Sequence, residues 1–199
     1  MLKVYLLRHG ETAYNAAGNK YCGRTDVGLT EKGIEQAKKV HQMLDGVEFL
    51  AAYSSPLERA FMTAKIIVPK MDVIRVNELI EVDFGNWEGK TRKEFVEENE
   101  EVWKDWEASP DTAKAGGNGE TGIEVLERVN SFYEDLKNRH KNGNVLVVAH
   151  NGVNRLFMAN QLGMPLKNYR RIVQENSAVT IVYLSGEEPF QLTSLNCRI

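Results

Sequence analysis

Apolar residues in this chain fall into short continuous runs, separated by stretches where they recur every three or four positions. Lys3–Leu7 (Lys-Val-Tyr-Leu-Leu) is short, apolar and β-prone, and reads as a buried strand. Thr30 is placed to cap a helix in which Ile34, Ala37, His41 and Leu44 recur at helical spacing. Phe49–Tyr53 reads as a second strand running into Ser54-Ser55-Pro56, where Ser55 can cap and Pro56 suits the first helical position. Leu57, Ala60, Phe61, Ala64 and Ile67 form the apolar stripe of that helix, and Val73–Val76 reads as a third strand. Val145–Ala149 is apolar on both faces, as expected of a central parallel strand covered by helices on both sides. A helix from about Val153 to Leu162 follows, closed by Gly163 and then Pro165. Ala178–Leu184 and Gln191–Leu195 read as two final strands, expected antiparallel at the edge. His41 and His140 fall within or at the end of predicted helices and read as structural.

Strands alternating with helices predict an α/β fold: a three-layer α/β/α sandwich with a mostly parallel central sheet, one domain over residues 1–199. The pattern changes between Phe84 and Gly122. Thr91–Trp106 reads as one acidic helix with Phe95, Trp103 and Trp106 facing inward, followed by a polar, Gly-rich stretch from Ser109 to Gly122. Residues 86–122 are therefore expected to form an insertion over the carboxyl edge of the sheet, a lid that decides specificity.

Composition excludes more than it assigns. Hydrophobic content of 42% and charged content of 27% are ordinary for a soluble globular chain, and a net charge of −3 with no basic stripe argues against nucleic acid as a partner. No run approaches the ~18 consecutive apolar residues of a membrane span. The N-terminus is strand-like rather than a signal peptide. Cys22 and Cys197 make neither a disulfide framework nor a metal-ligand pattern, so free thiols in a reducing cytoplasm are expected. No heptad seam marks an oligomer interface.

The chemistry gathers at strand ends. The first strand stops abruptly at Arg8-His9-Gly10-Glu11-Thr12, where Gly10 lets the backbone turn and leaves His9 at the carboxyl end, the ligand side of open α/β sheets. Imidazole is a good nucleophile at neutral pH, and guanidinium matches phosphate oxygens with paired hydrogen bonds. Arg59 lies in the first turn after the second strand, Glu81 shortly after the third, and His150 directly after the fourth. Alone, each reads as an ordinary loop or surface residue. Together they point to phosphate chemistry. Rival motifs fail: Gly117-Asn118-Gly119-Glu120-Thr121-Gly122 has the letters of a dinucleotide fingerprint but follows a polar loop instead of a strand. No phosphate loop, nucleophile elbow or zinc-protease helix occurs, and no carboxylate cluster resembles a divalent-metal cage, so neither metal nor cofactor is expected.

These residues resemble the histidine phosphatase superfamily, in its phosphoglycerate-mutase-like branch. The likeness covers nearly the whole chain: Leu7–Thr12 with Asn15, Gly23-Arg24-Thr25-Asp26 leading to Leu29–Gly33, Ser54–Ala60, Glu81–Gly89 and Val148-Ala149-His150. A finer likeness, to proteins called α-ribazole-5′-phosphate phosphatases, is carried by Gly33–Ala37, Gly163-Met164-Pro165 and Gln174-Glu175-Asn176. The resemblance implies a phosphoglycerate-mutase-like fold and hydrolysis of a small phosphomonoester. His9 would be the nucleophile, its other ring nitrogen held by a backbone carbonyl. Arg8, Arg59 and His150 would bind the phosphoryl oxygens with Asn15, and Glu81 would be the general acid and base. Thr12 would donate near the phosphate, with Gly23, Arg24 and Asn151 in the pocket and Arg24 a substrate-facing cation. Asn151 and Asn118–Thr121 depart from the family's usual residues. A phosphoglycerate mutase and a non-catalytic phospholigand-binding protein of the same fold are the alternatives.

Overall fold

The computed structural model describes residues 1–186 and 188–198; Glu187 and Ile199, within the domain expected over 1–199, lie outside the described residues. Its elements are β1 (Leu2–Arg8), α1 (Ala13–Ala16), α2 (Glu31–Met43), β2 (Phe49–Ser54), α3 (Glu58–Ile67), β3 (Val73–Arg75), α4 (Arg92–Glu98), α5 (Glu100–Ala108), α6 (Gly122–Arg139), β4 (Gly143–Ala149), α7 (Asn151–Gln161), β5 (Val179–Leu184) and β6 (Gln191–Cys197). The strands form one sheet in the order β3-β2-β4-β1-β5-β6. The first four are parallel, while β5 and β6 run antiparallel at one edge.

Two apolar layers sandwich this sheet because side chains alternate along its strands. Leu2, Val4 and Leu6 of β1 pack with α6 and α7, whereas Tyr5 and Leu7 meet Val40, Ala60, Ala64 and Ile67 of α2 and α3. β4 shows the same division, with Val145 and Val147 on one face and Leu146 and Val148 on the other. Thr30 caps α2 as expected, its hydroxyl accepting from Gly33 N at 3.0 Å. Gly10 serves a different purpose from the one its place after a strand suggests. A Cβ there would sit 2.6 Å from the Gly33 carbonyl, and one on Gly33 would sit 2.2 Å from the Glu11 carbonyl. The two glycines let the loop after β1 lie directly on the first turn of α2.

Two local expectations change. α3 begins at Glu58, with Leu57 rather than Ser55 at its cap position; the Ser55 hydroxyl accepts from Leu57 N at 3.3 Å and also meets His150. The acidic helix predicted over Thr91–Trp106 is two helices. Asn99 leaves the helical conformation (φ −157°, ψ 91°), and its side chain accepts from Val102 N to cap α5. The break turns Trp87, Phe95, Trp103 and Trp106 toward one another, with Trp87 stacked on Phe95 at 4.6 Å and Trp103 5.6 Å from Trp87. All four are buried and continuous with the core beneath. At about 1.5–3 kcal/mol for each large apolar side chain removed from water, this cluster holds the insertion firmly on the sheet. Among the described residues, no helix is long and apolar enough to cross a membrane.

Candidate active site

The register of the sheet brings the histidines together. Arg8 at the end of β1 is paired with Ala149 at the end of β4, and the ladder continues one step as His9 N donates to the Ala149 carbonyl at 3.1 Å. His9 and His150 therefore leave adjacent strands at the same level, their rings 5.2 Å apart. β2 extends the row: Ser55 N donates to the Val148 carbonyl, and its hydroxyl lies 2.6 Å from His150 Nε2. His9 Nδ1 lies 2.7 Å from the Gly10 carbonyl, which can only accept. The proton thus sits on Nδ1, and Nε2 keeps its lone pair. Asn176 donates to the carbonyls of both His9 and Gly10, and Thr63 accepts from Gly10 N, so the turn is held from three sides.

Beside His9 lies a cavity of about 350 Å³, lined by Arg8, His9, Asn15, Arg59, Glu81 and Asn151 together with residues 19–22, Phe84, Gly152, Arg155, Tyr169 and Arg170. Arg59 is fully buried, its two terminal nitrogens donating to the carbonyls of Gly23 (2.7 Å) and Thr25 (2.9 Å). Its Nε is buried without a partner, as are Arg8 Nε and His150 Nδ1. Buried donors are nearly always paired in native proteins, so a group of orphans around one imidazole marks a place built for an anion. Asn15 fits the same scheme. Its amide oxygen accepts from Thr12 N, the Thr12 hydroxyl and Asn176, which leaves its NH₂ for the cavity.

Charge is arranged to match. Arg24, Arg75, Arg92, Arg128, Arg139 and Arg198 pair with carboxylates. Among the described residues Arg8, Arg59, Arg155, Arg170 and Arg171 do not, and all of these but Arg171 line this cavity. Burial, followed by the nearby Arg59 and Arg8, holds His9 well below the usual histidine range. His150 is held down likewise, by burial and then Arg59 and His9. Both rings are therefore neutral at pH 7. Burial also lowers Arg8, to about 10, against the opposing pull of Glu81.

Glu81 is buried, and its placement is tertiary. One oxygen accepts from Val82 N and Val153 N, both at 3.0 Å, and the other from Gly152 N at 3.2 Å. The carboxyl group thus caps the helix that follows His150, its oxygens accepting from amides that have no partner within the helix. Gly152 permits the approach, since a Cβ there would lie 2.8 Å from Glu81 Oε1. Behind it, Arg128 donates to the carbonyls of Glu78, Ile80 and Glu81 while pairing with Glu120.

Several expected site residues lie elsewhere. The Thr12 hydroxyl is buried within the cap of α1. Gly23 contributes its carbonyl to Arg59 and does not line the cavity. Arg24 points to Glu120 (2.8 Å) and Asp83 (3.8 Å), so it is a strut between loops rather than a substrate-facing cation. His150 stays beside His9, fully buried, with its ring 5.2 Å away and its Nδ1 without a partner. Residues 86–122 supply none of the lining. They back it: Phe95 packs on Tyr21, Trp103 lies under Arg170, Trp106 donates to the Tyr169 hydroxyl, and Glu88 accepts from the amides of Arg24 and Thr25. Sequence reasoning missed Ser55 as the partner of His150, and Tyr21, Arg155, Tyr169 and Arg170 as lining. Only Arg155 carried a signal, standing four residues after Asn151 on one helical face.

The family follows from a match of residues 4–198 to the model of the histidine phosphatase superfamily, branch 1. The chain belongs to the histidine phosphatase superfamily. It is 33% identical over 186 residues to phosphoserine phosphatase 1 of Hydrogenobacter thermophilus, covering 92% of this chain and 87% of that one. It is 36% identical over 170 residues to the adenosylcobalamin/alpha-ribazole phosphatase of Escherichia coli, covering 82% and 81%. Among solved structures, a phosphoserine phosphatase of Entamoeba histolytica in complex with 3-phosphoglyceric acid superposes with a TM-score of 0.89 at 30% identity, over 99% of this chain and 98% of that one. The α/β sandwich expected from the strand–helix alternation is the fold of this superfamily, and the chain is a phosphatase.

Proposed function

We propose that this phosphatase hydrolyses a small phosphorylated metabolite in two in-line steps through a phosphohistidine at His9 Nε2, with arginines supplying the charge stabilisation. The observation that carries this reading is the set of orphaned donors on Arg8, Arg59 and His150 around an imidazole whose tautomer presents a lone pair. In the first step Nε2 attacks phosphorus, the ester P–O bond breaks, and Glu81 gives its proton to the departing oxygen. In the second, Glu81 takes a proton from water as the water oxygen attacks phosphorus and the P–N bond breaks. Arg8, Arg59, His150 and Asn15 hold the equatorial oxygens, where charge spreads in the transition state. Removing one such preorganised donor costs about 2.7–4 kcal/mol of catalysis in comparable sites.

Labelled substrate tests the intermediate. The protein should acquire alkali-stable, acid-labile label, and His9→Ala should lose both label and turnover; turnover retained in that variant would disprove the mechanism. Glu81→Gln should lose most activity on esters with poor leaving groups and little on p-nitrophenyl phosphate. Equal losses on both would remove Glu81 from the acid role. The relatives named for phosphoserine and α-ribazole phosphate put both compounds on the substrate panel. Conversion of 3-phosphoglycerate to 2-phosphoglycerate with little free phosphate would mean a mutase instead.

A further inference from the structure

The cavity holds more positive charge than a phosphoryl group needs. Beyond Arg8 and Arg59, it is lined by Arg155, Arg170 and Lys20, and its one carboxylate, Glu81, is already engaged with three backbone amides. Arg155 projects from the second turn of α7. One terminal nitrogen donates to the Arg170 carbonyl, and its Nε is buried without a partner. Arg170 is held rigidly: Nε donates to the Tyr169 hydroxyl at 3.1 Å, a terminal nitrogen lies 3.4 Å from the Tyr21 hydroxyl, and its plane covers Trp103 at 4.1 Å. Two half-buried guanidiniums side by side have neutral partners but no carboxylate, so their charge is left without a counter-ion. Burial and then Arg170 weaken the proton affinity of Arg155, which shows how close the two charges stand.

We infer that Arg155 and Arg170 form a second anion subsite, which selects small phosphomonoesters carrying a carboxylate on a short chain. The planar fork of guanidinium suits a carboxylate, and Arg155 and Arg170 line the same cavity as Arg8 and Arg59, so one small molecule can reach both pairs. An uncharged alcohol in the carboxylate's place would leave both arginines as they are. The inference rests on the phosphatase reading above.

The test compares 3-phosphoglycerate with glycerol 3-phosphate, which has CH₂OH where the former has carboxylate. The wild-type enzyme should favour 3-phosphoglycerate by about tenfold or more in kcat/KM, the range of a charge-assisted bond. Arg155→Gln and Arg170→Gln should each shrink that ratio to about threefold or less, and Arg155→Lys should restore part of it. If Arg170→Gln fails to fold because Trp103 loses its cover, Arg155→Gln carries the test alone. No wild-type preference, or equal losses on both compounds, overturns the subsite. Calorimetric binding of both compounds to full-length His9→Ala separates this from the phosphatase reading. A carboxylate preference in Kd that vanishes with Arg155→Gln supports the subsite even if neither compound is hydrolysed, and equal Kd values refute it whatever the turnover.

Discussion

Lowering pH should unfold this protein through two buried histidines, His9 and His150, at the ends of β1 and β4. His9 is 4% exposed and His150 is 0% exposed, and both are held well below the usual range by burial and by Arg59. In the unfolded chain each titrates near 6.5. The unfolded state therefore binds more protons below that pH, so the stabilisation present above about pH 6.5 is lost as pH falls through it. The loss continues until the folded-state value is reached. Between pH 7.5 and 5.5 the linkage amounts to about 1.4 kcal/mol for each histidine, roughly 2.7 kcal/mol for the pair. Urea unfolding of the wild type, His9→Asn and His150→Asn at the two pH values measures it. Each variant should lose about 1.4 kcal/mol less than the wild type over this interval, because the carboxylates and the other two histidines cancel in the difference. Identical pH dependence in all three proteins would refute the argument, and would mean that the rings take up protons in the fold at the same pH as in the unfolded chain.

Arg128→Met should remove the clamp on residues 78–81. A loss of about 1.5–3 kcal/mol in urea melts, with kcat falling more than KM rises, is expected, and unchanged kcat would detach the clamp from Glu81. Gly33→Ala places a methyl 2.2 Å from the Glu11 carbonyl and should cost about 1–3 kcal/mol, with some loss of activity because the same loop carries His9. A neutral effect on the thermal midpoint would contradict the close packing described. Ser55→Ala leaves His150 with no partner on either ring nitrogen and should destabilise by about 1–3 kcal/mol, read by the same melts.

The frame of the candidate site was legible because it follows from periodicity. Apolar runs at Lys3–Leu7 and Val145–Ala149 announce buried parallel strands, and such strands end at the same level, so two histidines just past them must meet. Arg59 was legible as a first-turn residue for the same reason. The supports were not. Glu81 reaches amides some seventy positions away in sequence, a contact no local pattern encodes. Asn99 sits in an acidic run that reads as helix on both sides, and only the packing of Trp87 and Phe95 against Trp103 shows why the chain breaks there. Arg170 lies in a two-turn 3-10 segment, Leu166–Arg171, with no apolar rhythm to betray which way it faces. Specificity was assigned to residues 86–122 on the general behaviour of insertions. The cavity wall comes instead from residues 19–22 and the C-terminal third of the chain.

All three tryptophans of the chain, at 87, 103 and 106, belong to the aromatic cluster of the insertion. Trp103 lies between two guanidiniums, Arg92 at 4.5 Å and Arg170 at 4.1 Å, and Arg170 reaches the cavity. The protein therefore carries a built-in optical gauge. Its entire indole emission originates in a segment that does not line the cavity, yet one of the three fluorophores shares a cation with the cavity wall. Any ligand that draws Arg170 inward will change the charge over Trp103 and with it the indole emission, so occupancy can be followed by ultraviolet fluorescence without a label.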